Sequence, residues 1–150
     1  MRKITEIVIH CTATNANWFE TQTVEDAVNE IRRWHTDPKP KGRQWSDIGY
    51  HALIARDGTV GMGRPVWRAG AHVAGRNKDT LGVALMGGRG GCADDKFEDN
   101  YTPEQEAALK QLIADWKAEY PTIKKITGHN DYASKACPCF NVKKWAAKLA

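Results

Sequence analysis

Two short stretches at opposite ends of this chain constrain its fold more than anything between them. The first is Thr5-Glu6-Ile7-Val8-Ile9-His10, a run rich in β-branched residues that closes on a histidine. The second is the turn-rich loop from Thr127 to Phe140, in which His129, Lys135 and Cys137 place an imidazole, an ammonium and a thiol close together. His10, His129 and Cys137 are residue types that hold a metal ion, and two histidines with one cysteine leave one position of a tetrahedral site open, as catalytic sites do. If they act together, the fold must bring its two ends into contact. The spacing His129-x7-Cys137 is not diagnostic in the way paired CxxC motifs are, so a thiol–imidazole pair and purely structural roles stay open on the residues alone.

At 150 residues the chain is one ordinary domain, read as 1–150, with enough core to fold without disulfides. The apolar stretch behind Met1-Arg2-Lys3 runs only from Ile4 to Ile9 and is interrupted by Thr5 and Glu6, which is too short and too polar for a secretory signal. No run approaches the roughly 18 apolar residues of a membrane span. The expectation is synthesis in the cytoplasm with thiols reduced, so Cys11, Cys92, Cys137 and Cys139 are read as metal-binding, catalytic or core residues, not as a disulfide framework. A net charge of +4 from 22 basic and 18 acidic side chains, interspersed along the chain, describes a solvated surface and gives no sign of a nucleic-acid-binding protein.

Thr5 to His10 reads as a buried strand. Val24, Ala27, Val28, Ile31 and Trp34 recur at helical spacing behind Thr23 as N-cap, and Pro38 and Pro40 end the pattern. His35 falls at the end of this helix, where a cation or a bond to terminal carbonyls is useful. Tyr50 to Ala55 and Thr59-Val60, joined through Asp57-Gly58, predict a hairpin in which Tyr50 and His51 face opposite ways. Thr80 to Met86 predicts a strand punctuated by Gly82. Gly87 to Gly91 reads as a flexible stretch, since it lacks the continuation of a phosphate-binding loop, and Asp94 to Asn100 as surface loop. Thr102-Pro103-Glu104-Gln105 opens a helix that runs to about Tyr120; a strand over Lys124–Thr127 and a helix over Val142–Leu149 follow. The fold class is α/β, a single domain with a central mixed β-sheet flanked by helices. Cys11, next to His10 in the strand, must project to the opposite face as a small core residue.

Five motifs occur together and in order: Ile9-His10-Cys11-Thr12-Ala13-Thr14; Asp47-Ile48-Gly49-Tyr50-His51 with Arg56-Asp57-Gly58-Thr59-Val60; Gly70-Ala71-His72; Leu81-Gly82-Val83; and His129 through Lys135-Ala136-Cys137-Pro138. In this the chain resembles the type-2 N-acetylmuramoyl-L-alanine amidases over nearly its whole length, and within them the phage lysozymes of the coliphage T-seven kind. The resemblance implies a zinc groove on one face of the sheet, as in peptidoglycan recognition proteins. One Zn²⁺ per chain would be held by His10, His129 and Cys137, with Tyr50 and Lys135 as catalytic residues and His72 in the substrate groove. Cys139 departs from the relatives, which carry a plain polar residue there, and is close enough to Cys137 in sequence to compete for metal or to oxidise with it.

The implied activity is hydrolysis of the amide between N-acetylmuramic acid and L-alanine in peptidoglycan. The implied role is that of a phage or prophage endolysin, a monomer made in the host cytoplasm that acts at the periplasmic cell wall. The chemistry is consistent with this. Zinc on two neutral imidazoles and a thiolate keeps about one positive charge, enough to acidify water and polarise a carbonyl. Lys135 can stabilise a developing oxyanion, and Tyr50 can position water or carry protons. Three alternatives are a non-catalytic peptidoglycan-binding module, a cysteine hydrolase built on Cys137 and His129, and a regulator of phage RNA polymerase. The last is a property of the coliphage relative that depends partly on an N-terminal segment, whereas nine residues precede His10 here.

Overall fold

Strand β1 (Glu6–Cys11) is buried at every position, because it lies inside a sheet with helices on both faces. The computed structural model describes residues 2–149; Met1 and Ala150, the outermost residues of the expected domain, lie outside them. The elements that follow are α1 (Val24–Thr36), β2 (Ala52–Ile54), β3 (Val60–Met62), β4 (Thr80–Leu85), α2 (Phe97–Asn100), α3 (Pro103–Glu119), β5 (Lys125–Gly128) and α4 (Val142–Ala146). The sheet order is β3-β2-β4-β1-β5. β1 runs parallel to both β4 and β5, and β2 parallel to β4, while β3 pairs antiparallel on the edge, so the sheet is mixed as expected.

Alternation along the strands sorts the core into two layers. Ile7, Ile9 and Cys11 join Leu81, Val83 and Leu85 of β4 in packing against Leu109, Ile113 and Trp116 of α3 and Trp145 of α4. Leu53 and Ala84 pack on the other face against Val24, Ala27, Val28 and Ile31 of α1. Full burial of Ile7 or Ile9 contributes about 2 kcal/mol each. Both long helices begin as the capping residues require. Thr23 and Asp26 form a reciprocal capping box on α1, and Thr102 with Gln105 forms another on α3. Gln105 does more than cap: fully buried, its Nε2 donates to Ile54 O and Met86 O and so fastens the start of α3 to the ends of β2 and β4.

Several expectations change in detail. β2 starts at Ala52, not Tyr50, and α4 stops at Ala146 instead of reaching Leu149. Asp94 to Asn100, expected as surface loop, contains α2, because Phe97 turns inward against Tyr101, Phe140 and Trp145. The glycine stretch is a geometric requirement, not simply a flexible one. Gly88 has φ of 86°, and a Cβ there would lie 2.8 Å from Cys11 Sγ.

Candidate metal centre

His10 sits near the C-terminal end of β1, where the connections after β1, β4 and β5 gather at one edge of a parallel sheet, the usual place for a site in such a fold. β5 ends at Gly128, so His129 follows the neighbouring strand directly, in a short 3-10 turn over His129–Asp131. Cys137 arrives on the loop beyond. The metal-ligating atoms of His10, His129 and Cys137 all lie within 4.8 Å of one another, and the His10 and His129 rings are 4.7 Å apart between centroids. The three candidates chosen from opposite ends of the chain are therefore brought together.

The loop is held in shape by the protein itself. Asn130 Nδ2 donates to Ala136 O and Phe140 O, the Gly128 N–H donates to Asp131 Oδ2 at 2.8 Å, and Tyr101 Oη donates to Pro138 O at 2.7 Å. Cys137 Sγ accepts the Cys11 N–H at 3.1 Å, a contact that favours sulfur as thiolate. Without a cation, hydrogen bonding with the Cys11 thiol and burial push the Cys137 thiol above its ordinary range. His10 is held well below the usual imidazole value by burial, then by His72, His129 and Lys135; burial and Lys135 lower His129 as well. Two imidazoles kept neutral and a half-buried thiol that accepts a backbone N–H make a donor set suited to a divalent metal of the zinc type.

Tyr50 lies beside the centre, its ring 5.1 Å from that of His10. Burial first, then the neighbouring cysteines, raises its phenol, so the hydroxyl keeps its proton across the working range. The expected opposition of Tyr50 and His51 does not hold: His51 also reaches the histidine cluster, 5.9 Å from the His72 ring, because both precede the regular alternation that begins at Ala52. Lys135 is exposed at the rim, and its charge is felt at both His10 and His129. His72, expected to face substrate, is buried. Its Nδ1 is 2.9 Å from His10 Nε2 and its Nε2 3.0 Å from Thr80 Oγ1, which leaves no polar ring atom for a ligand.

Cys11 points into the opposite core layer as expected. Cys139 is buried, donates to Gly88 O at 3.3 Å, and is pushed up to about 12 by burial, so it stands apart from the three-residue group. The residue that sequence reasoning missed is Glu6. Fully buried on the same face of β1 as His10, it accepts bonds from Arg76 Nη2 at 2.6 Å, Thr127 Oγ1 at 2.5 Å and Tyr132 Oη, linking the loops that carry His72 and His129. Counting back by twos from His10 would have placed it there.

His35 is buried in the last turn of α1, but its Nδ1 accepts the Gly49 N–H instead of serving as a cation. Burial, then Arg43 and Arg64, lowers it to about 4; burial, then Arg2 and Arg64 against an opposing bond to Arg68 O, lowers His51 to about 4. Both are neutral in the folded protein, whereas the unfolded chain takes up protons below about 6.5. Their contribution is therefore complete above that pH and is lost as the pH falls towards 4, on the order of 3 kcal/mol for each at the bottom. Urea midpoints of metal-free protein should already fall between pH 6.5 and 5, above the carboxylate range. A flat profile there would contradict neutral burial of these rings.

With the geometry in place, comparison with known proteins decides the family. The sequence profile for N-acetylmuramoyl-L-alanine amidase matches residues 1–140. The chain belongs to the N-acetylmuramoyl-L-alanine amidase family. It is 41% identical over 147 residues to the endolysin of Klebsiella phage KP32, covering 98% of this chain and 88% of that one. To the endolysin of Escherichia phage T7 it is 40% identical over 144 residues, covering 95% and 85%. Among solved structures, the N-acetylmuramoyl-L-alanine amidase LysC from Clostridium intestinale superposes with a TM-score of 0.71 at 28% identity, covering 99% of this chain and 86% of that one. Bumblebee PGRP-SA gives 0.76 at 25% identity, covering 99% and 83%. The same three-layer fold thus carries amidases and peptidoglycan recognition proteins in this family.

Proposed function

We propose that this member of the family is a zinc-dependent endolysin that hydrolyses the amide between the lactyl group of N-acetylmuramic acid and L-alanine, freeing stem peptides from peptidoglycan during host lysis. The observation that carries the proposal is the convergence of His10, His129 and Cys137 within 4.8 Å at the end of the parallel strands. Held by these three residues, a zinc ion would supply Lewis-acid polarisation of the scissile carbonyl and would acidify water.

The chain's own groups complete the chemistry. His10 and His129 stay neutral, and the Cys11 N–H stabilises negative charge on Cys137 Sγ. The Tyr50 hydroxyl, protonated throughout, acts as a fixed donor that orients the attacking water or the carbonyl. Lys135 brings positive charge to the rim where the oxyanion develops. A cavity of about 430 Å³ adjoins Tyr50 and Thr12, with Trp34, Lys41 and Arg43 along its wall. Two cations and an indole there complement a stem peptide that carries carboxylates along an apolar path. No helix among the described residues is long and apolar enough to cross a membrane; the proposed site of action is the periplasmic wall.

A thiol-based hydrolase built on Cys137 and His129 would keep its activity in metal-free protein, whereas the zinc reading requires a chelator to abolish it. Digestion of purified sacculi tests the proposal. Mass spectrometry should find new L-alanine amino termini and no new reducing sugar ends. Reducing ends would make the protein a glycosidase, and binding without release would make it a recognition module.

A further inference from the structure

The His72 ring occupies a slot built for it. A Cβ on Gly82 would lie 2.7 Å from His72 Cγ, and one on Gly70 would lie 2.6 Å from His72 Cδ2. Both positions therefore need glycine for the ring to lie flat against the sheet. The His72 and Val73 N–H groups both donate to Asn77 Oδ1, at 2.9 and 3.0 Å, which fixes the backbone beneath the ring. This is a heavily specified position for a side chain that is neither exposed nor among the three candidate ligands.

Its hydrogen bonds have a direction. Thr80 Oγ1 is 2.7 Å from Arg76 O and 3.0 Å from His72 Nε2. A carbonyl only accepts, so the single hydroxyl proton goes to Arg76 O, and Thr80 Oγ1 must accept from His72 Nε2–H. A neutral imidazole carries one N–H, which leaves His72 Nδ1 as an acceptor 2.9 Å from His10 Nε2. His10 then carries its proton on Nε2 and has its lone pair on Nδ1.

We propose that the Arg76 carbonyl, acting through Thr80 and His72, locks His10 in the Nε2–H tautomer and so presents Nδ1 to the metal. His72 is a positioning residue, not a substrate group, and the assignment rests on the metal reading of His10, His129 and Cys137. Outer partners of metal-binding histidines are commonly carboxylates or backbone carbonyls, which raise ligand basicity. A neutral imidazole orients His10 without adding negative charge, so it preserves the electrophilic character that amide hydrolysis needs.

Two measurements test this on the full chain. Long-range ¹⁵N–¹H NMR of the metal-free wild type should show both His10 and His72 protonated at Nε2. Chelator competition should show zinc binding about 10–100-fold weaker in His72→Ala, the scale for losing an outer-shell partner. Thr80→Val should weaken zinc binding in the same direction. His72→Asn, whose Oδ1 stands in for the imidazole Nδ1 as acceptor, should recover most of the loss, which a merely space-filling role would not predict. An Nδ1–H tautomer on His10, or unchanged zinc affinity in folded His72→Ala, overturns the proposal. If His72→Ala does not fold, the wild-type tautomers and Thr80→Val decide. Failure of the wild type to bind zinc at all would overturn the metal reading, while the NMR result would still report on the relay separately.

Discussion

Cys137→Ser is expected to lose zinc and, with it, amide hydrolysis. A serine hydroxyl stays protonated at neutral pH and is a far poorer ligand than thiolate, so the affinity lost should exceed the roughly 100-fold that an outer-shell change costs. The consequence reaches the fold. His10 lies on β1 while His129 and Cys137 lie beyond β5, so an ion held by all three would cross-link the first strand to the last loop. Ligand linkage at free zinc a thousandfold above Kd is worth about 4 kcal/mol, and in a domain of this size that corresponds to a Tm roughly 10 °C higher in the loaded protein. Scanning calorimetry with and without chelator, alongside elemental analysis, gives both quantities for wild type and variant. A wild type whose Tm and turnover ignore the chelator would rule out the metal mechanism.

Lys135→Ala is expected to do the reverse, keeping zinc and losing turnover by about 10²–10³, the scale for removing one oxyanion stabiliser. Lys135 is exposed, outside the ligand group, and acts on His10 and His129 only through its charge. Its removal should leave zinc content and Tm close to wild type. The loss should appear in kcat, because the interaction exists only once negative charge develops. Wild-type kcat in the variant, or loss of zinc alongside activity, would withdraw the catalytic role given to this lysine.

Much of the architecture is legible in local pattern. The β-branched run before His10, the apolar period behind Thr23, the cap at Thr102-Pro103 and the Asp57-Gly58 turn each reflect the conformational preference of a few adjacent residues. The structure moves the boundaries of these elements more than it changes their type. Phe97 shows why some segments mislead: its neighbours are charged, but Phe140 and Trp145, far along the chain, offer it an apolar surface.

The candidate ligands are likewise legible in residue type together with the resemblance, because a histidine closing a strand and a His–Lys–Cys loop are visible in one dimension. What one dimension does not carry is which side-chain atoms meet. That Glu6 lies buried among Arg76, Thr127 and Tyr132 depends on β1 lying between β4 and β5. That the His72 ring meets His10 and Thr80 depends on two glycines leaving room for it. Tyr50 meets the His10 ring while His51 meets the His72 ring, contacts that strand alternation alone does not reveal. By itself the sequence determined every element but the short α2, the fold class and the chemical types at the centre, since these follow from short-range preference and residue identity. Only the tertiary structure decided which polar groups are paired and which remain free to act, because hydrogen bonding and burial are set by neighbours that the chain brings together from far apart.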